Sequence, residues 1–109
     1  ETIFIDIWAA WCRDCIKSMP QLKKLQEDFP KTTFLFLSLD KGVDSWKKGI
    51  KKYNLVGEHY FMSSGWKGPF AKAIDLDWIP RYMVIDTTGK ISLYRAIAID
   101  DYRIQEVLK

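Results

Sequence analysis

Apolar residues change period several times along this chain, and each change marks an element. Ile3 to Trp8 form an apolar run broken only by Asp6, the pattern of a strand buried on both faces of a parallel sheet. From Cys12 the period lengthens. Cys15, Ile16, Met19, Leu22, Leu25 and Phe29 recur at intervals of three and four, marking one face of a helix. Pro20 lies inside that helix and is expected to kink it; Pro30 closes it. Thr33 to Leu39 read as a second buried strand, and Asp40, Lys41 and Gly42 as the loop after it. Trp46, Ile50 and Tyr53 share one face of the next helix. Its Lys47, Lys48, Lys51 and Lys52 read as a solvated face, and Gly49 weakens it by roughly 1 kcal/mol against alanine. Residues 55–68 are the least regular, with a short edge strand expected over Tyr60 to Met62. Pro69 suits the first turn of a short helix. Arg81 to Asp86 and Ile91 to Arg95 then read as a hairpin around Thr87, Thr88 and Gly89. Asp100 or Asp101 caps a last helix with Ile104, Val107 and Leu108 inward. The order β-α-β-α-β-β-α predicts an α/β domain: a mixed four- to five-stranded sheet with helices on both faces.

Composition narrows the class. At 109 residues, the chain fits one domain over residues 1–109. Its 48% hydrophobic and 15% aromatic content argues against disorder. A net charge of +3, scattered along the chain, gives no argument for nucleic-acid or membrane binding. No apolar run approaches the ~18 residues of a membrane span, and none of these residues reads as a signal peptide. The chain enters a strand straight after Glu1 and Thr2, so it is expected to be a domain from a longer protein, with any targeting segment outside it.

Both cysteines of the chain, Cys12 and Cys15, stand where the first strand gives way to the first helix. Residues three apart share a helix face, which brings the two thiols within disulfide reach. The helix N-terminus stabilises an anion at Cys12 and favours its thiolate. Cys15, one turn further on, is expected to be less exposed. Cys12 then attacks a partner disulfide, and Cys15 resolves the mixed disulfide by attacking Cys12. Two other readings stay open. The pair could be half a zinc site, although His59 is the only histidine and the chain has no further cysteine. The pair could also be two unreactive core cysteines.

The stretch Ile5 to Cys15, together with Pro20, resembles the active-site segment of the thioredoxin superfamily, and Ile79-Pro80 resembles its cis-proline loop. Phe36 to Asp40, Trp46 in its lysine-rich helix, and Val84 to Ile91 are similar to TlpA/ResA-like thiol-disulfide oxidoreductases. The resemblance covers the chain from Thr2 onward, and it implies a thioredoxin fold acting on protein thiols and disulfides.

By this resemblance, Cys12 matches the exposed nucleophile and Cys15 the resolving thiol. Asp6 matches the buried acid that helps move the proton off the second cysteine. Burial of a carboxyl in an apolar strand should raise its pKa, which suits that task. Trp11, Ile79 and Pro80 match the surface that meets substrate. Arg13 and Asp14 replace the frequent Gly-Pro between the cysteines, on the same surface. Arg13 should favour the thiolate and Asp14 oppose it. Arg81 stands where threonine is common and is expected to make the substrate surface more basic. Phe36 takes roughly the place of a lysine near the buried acid, so Asp6 is expected to lack its cationic partner. The family's usual first strand and leading segment are expected to lie outside these residues.

The electrons reside in the Cys12–Cys15 pair, so neither a dissociable cofactor nor a metal is expected. The family further implies an upstream electron donor or acceptor protein, the reductant direction, and a place outside the bacterial cytoplasm, periplasmic or membrane-anchored. A monomer is expected. The alternative is a redox-inactive thioredoxin-like module that binds a partner through Trp11 and Ile79-Pro80. Residues 55–68, as the variable insertion, are expected to help shape partner choice. Asp40 reads as a loop or cap residue, His59 as a surface or loop residue, and Tyr60 and Trp66 as packing.

Overall fold

The computed structural model describes residues 1–109. Its central strand, β1 (Ile3–Trp8), is almost wholly buried, as its unbroken apolar run requires. Strand β2 (Thr33–Ser38) pairs with β1 in parallel, setting Asp6 opposite Phe36. A short edge strand, β3 (Glu58–Phe61), pairs in parallel with β2. On the other side, β4 (Arg81–Ile85) runs antiparallel to β1 and sets Tyr82 opposite Asp6. Strand β5 (Ile91–Ala96) completes the hairpin, giving the order β3-β2-β1-β4-β5. The sheet is thus mixed and five-stranded.

The first helix departs from expectation. Two helices, α1 (Arg13–Lys17) and α2 (Met19–Asp28), stand where one kinked helix was expected, and they meet at Ser18. Pro20 falls in the first turn of α2, where a missing N–H costs nothing. The proline therefore starts a helix instead of bending one. Three more follow: α3 (Val43–Lys52), α4 (Pro69–Ala73) and α5 (Tyr102–Leu108). Asp101 caps α5 by accepting the Arg103 N–H at 3.0 Å.

Strand alternation assigns the helices to faces. Phe4, Asp6 and Trp8 share one face with Tyr82, and Phe4 packs on Phe34 and Tyr82 at ring separations of 5.0 and 5.6 Å. Helix α3 lies on this face, because Gly49 meets the Trp8 indole. Arg81 points to the opposite face, where its guanidinium reaches the C-terminal end of α4 at Ile74. His59 is neither a loop nor a free surface residue. It lies in β3, half-buried, with its ring stacked 4.9 Å from Phe36. No helix is long and apolar enough to cross a membrane.

Candidate active site

Strand β1 ends at Trp8 and the chain turns at once. The turn is closed by the Cys12 N–H, which donates to the Ala9 carbonyl at 3.0 Å. Cys12 is the N-cap of α1, with extended backbone, and its Sγ accepts the Cys15 N–H at 3.2 Å. A helix start leaves such N–H groups without partners, and here one of them is aimed at sulfur. Cys12 and Cys15 are joined in a disulfide, their Cα atoms 5.3 Å apart. On the other side of Cys12, the Ile79 carbonyl oxygen lies 3.9 Å from Sγ. The Ile79-Pro80 peptide is cis. The expected difference in exposure between the cysteines is absent in this oxidised form: Cys12 is 5% and Cys15 4% exposed. Ile79 on one side and the start of α1 on the other cover Cys12. Arg13 and Asp14 are exposed on α1. Nowhere do three or more His, Cys, Asp or Glu side chains come together in a metal-binding arrangement.

Asp6 lies in the strand that delivers the cysteines, buried, with no hydrogen-bond partner for Oδ1. Its neighbours in register are Phe36 and Tyr82, so no cation faces it from either adjoining strand. Burial pushes its carboxyl up to about 7, because the charged form has lost its water without gaining a donor. Tyr82 is likewise held well above the ordinary tyrosine value, chiefly by burial and then by the nearby Asp6 charge. Ser18, at the end of α1, interacts with the Tyr82 side chain.

Two residues that pattern reading left in ordinary roles also touch the redox turn. Asp40 is a buried carboxylate, not a simple loop residue. Its two oxygens accept the Ala10 N–H at 3.0 and 3.1 Å, and Oδ2 also accepts the Ser38 hydroxyl at 2.7 Å. Gly49, in α3, presses on Ala10 from another direction: a Cβ there would lie 2.6 Å from the Ala10 Cβ and 3.3 Å from the Trp8 ring. An aspartate after a strand and a glycine in a helix carry no signal of this in sequence, since both contacts are long-range.

Arg81 corrects an expectation. It adds nothing basic to the surface, being 1% exposed. Its Nη2 donates to the Ile74 and Tyr94 carbonyls at 3.0 Å each, and its guanidinium lies 4.8 Å from the Tyr94 ring centre. The side chain points inward because the residue opens β4 on the face covered by α4. Beside the exposed Arg13 and Asp14, the chain next to the site also exposes two aromatic side chains. Trp11 is 56% exposed, and Trp78, immediately before Ile79, is 64% exposed. Trp78 was missed, although its place beside the Ile79-Pro80 pair was the available clue. Trp11 also lines a groove of about 610 Å³ with Leu39, Met62, Ser63, Ser64 and Trp66. The redox turn and the irregular 55–68 segment therefore share one depression.

Comparison with known proteins agrees with this geometry. The family model described as Thioredoxin-like matches residues 1–91. No curated protein matches the chain. Among solved structures, a provisionally assigned thiol-disulfide oxidoreductase from Bacteroides vulgatus is 31% identical, with a TM-score of 0.83, over 99% of this chain and 71% of its own. A thiol-disulfide oxidoreductase from Bacteroides fragilis is 25% identical, with a TM-score of 0.84, over 98% of this chain and 81% of its own. A secreted disulfide oxidoreductase of Mycobacterium tuberculosis shares the fold at 17% identity and a TM-score of 0.77, covering 99% of this chain and 80% of its own. The chain belongs to the thioredoxin-like family, within its TlpA-like thiol-disulfide oxidoreductases.

Proposed function

We propose that this domain is a protein-disulfide oxidoreductase that works as a reductant outside the bacterial cytoplasm. The observation that carries the reading is the setting of Cys12. Its sulfur accepts a helix-start N–H and borders the Ile79 carbonyl, while an unpartnered buried carboxyl, Asp6, lies in the strand that delivers it. In the reduced protein the Cys12 thiolate attacks a client disulfide. A Cys12–client bond forms, the client S–S bond breaks, and one client thiolate leaves. Asp6, as carboxylate, takes the proton from Cys15. The Cys15 thiolate then attacks Cys12 Sγ, forming the Cys12–Cys15 disulfide and releasing the second client thiolate. Two electrons pass to the client. An upstream dithiol protein returns them by the same exchange in reverse, so the pair itself serves as the redox group and no dissociable cofactor takes part.

Trp11, Arg13 and Asp14 form the exposed part of the client-facing surface, whereas Ile79 and Pro80, expected on it, lie buried beneath, and Met62 to Trp66 extend it along the Trp11 groove. The reductant direction and the extracytoplasmic location rest on the likeness to TlpA/ResA-like proteins. The secreted mycobacterial neighbour is consistent with that location. The test uses two variants in a protein-disulfide reduction assay. Cys12→Ser should abolish turnover, and Cys15→Ser should accumulate a mixed disulfide through Cys12. Full turnover by Cys12→Ser would refute the reading. A client affinity unchanged when both cysteines are replaced, with no turnover in the native protein, would favour the binding module instead.

A further inference from the structure

We propose that Asp40 is a positioning residue for the redox turn, an inference that rests on the oxidoreductase reading above. Its carboxylate holds Ala10, and through Ala10 the turn that presents Cys12. The turn from Ala9 to Cys12 has few anchors of its own. Its internal hydrogen bond runs from Cys12 N–H to Ala9, and β1 pairing ends at Trp8. Ala10 is the residue held from outside. Both Asp40 oxygens receive its N–H, and its methyl group rests against the bare Gly49 Cα region.

Asp40 is itself fixed. The Ser38 hydroxyl donates to Oδ2 at 2.7 Å, and the Asp40 N–H donates back to Ser38 Oγ at 2.9 Å. Ser38 is fully buried at the end of β2. The Leu39 N–H, next in the chain, donates to the Trp8 carbonyl at 2.8 Å. The ends of β1 and β2 are thus stitched together through one carboxylate. A buried carboxylate is costly unless its oxygens are satisfied, and what satisfies this one is the Ala10 N–H of the redox turn together with the Ser38 hydroxyl. Reactivity at Cys12 depends on the alignment of its sulfur with the Cys15 N–H at 3.2 Å. A turn that drifts by an ångström loses that alignment.

The test compares Asp40→Ala, Asp40→Asn and Ser38→Ala with the native protein. Asn keeps an acceptor for Ala10 and removes the charge, which separates position from electrostatics. Two quantities are read: exchange of the Ala10 amide with solvent in the oxidised protein, and the rate at which the reduced protein attacks a small aromatic disulfide. In Asp40→Ala the Ala10 amide should exchange at least ~10-fold faster, with Phe4 to Ile7 unchanged, and the attack should slow by ~10-fold or more. Asp40→Asn should stay within ~3-fold of native in both. Ser38→Ala should raise Ala10 exchange severalfold, which decides the matter if Asp40→Ala fails to fold. An Ala10 amide that stays protected in Asp40→Ala or Ser38→Ala would overturn the proposal. So would an Asn variant as impaired as the Ala variant. If the native protein attacks no disulfide, the oxidoreductase reading fails, and the amide comparison still judges the clamp.

Discussion

Asp6 stands directly across from Tyr82 in the antiparallel β1–β4 pairing, and its inner oxygen has no hydrogen-bond partner. The phenol supplies bulk and no charge, so burial alone sets the Asp6 carboxyl at about 7. As a base for Cys15 it is then half-ionised near neutrality. Resolution of the mixed disulfide should accelerate as pH rises through about 7. Asp6→Asn should remove that dependence and slow the step by on the order of 10²-fold. Rapid-quench measurement of mixed-disulfide decay across pH 5–9 checks both.

The same carboxyl links stability to pH. Its folded pKa is raised from 3.8 to about 7, so the native state keeps a proton that the unfolded chain gives up. Its contribution is fully present below pH ~4 and lost as pH rises through ~7, a swing on the order of 4 kcal/mol. Asp6→Asn should therefore be more stable than the native protein at pH 8, with the gap closing toward pH 4. Urea unfolding at both pH values reads the difference.

Gly49→Ala tests how closely α3 approaches the redox turn. Alanine favours a helix by roughly 1 kcal/mol, but its methyl would meet the Ala10 Cβ at 2.6 Å. Overpacking of this kind costs ~1–3 kcal/mol. Net destabilisation of about 1 kcal/mol is expected in urea, where a free helix would gain.

Arg81→Met should lower stability by about 2 kcal/mol, since it strips donors from the buried Ile74 carbonyl and the part-buried Tyr94 carbonyl. Client KM should not change, because the side chain is buried. Denaturant unfolding and client titration separate the two effects.

Trp66→Ala should raise KM for a protein client several-fold and leave attack on a small disulfide unaltered. Trp66 lines the groove with Trp11 and is absent from the surroundings of the sulfur. Equal effects on both substrates would remove the 55–68 segment from partner choice.

Legibility from sequence followed the range of the interactions. The β1 run, the Cys12–Cys15 spacing and the hairpin around Gly89 are local patterns, and each appears in the structure where the pattern placed it. The lack of a cation beside Asp6 was legible too, through Phe36 in the neighbouring strand. What could not be read depends on contacts between distant residues. Asp40 and Ala10 are thirty positions apart. Arg81 looked like a surface cation because its neighbour Pro80 belongs to the site, yet strand alternation turns it toward α4. Pro20 has the same lesson at short range: a proline in an apolar period marks a kink or a fresh start equally well, and the break at Ser18 decides which.

The central claim is that Cys12 and Cys15 form an exchanging redox pair poised as a reductant. Its most direct test is a titration of the pair against glutathione, with acid quenching and thiol alkylation. The account predicts a reversible two-electron curve with a midpoint near about −270 mV. A pair that never equilibrates with glutathione would contradict the exchange, and a midpoint near about −120 mV would contradict the reductant direction.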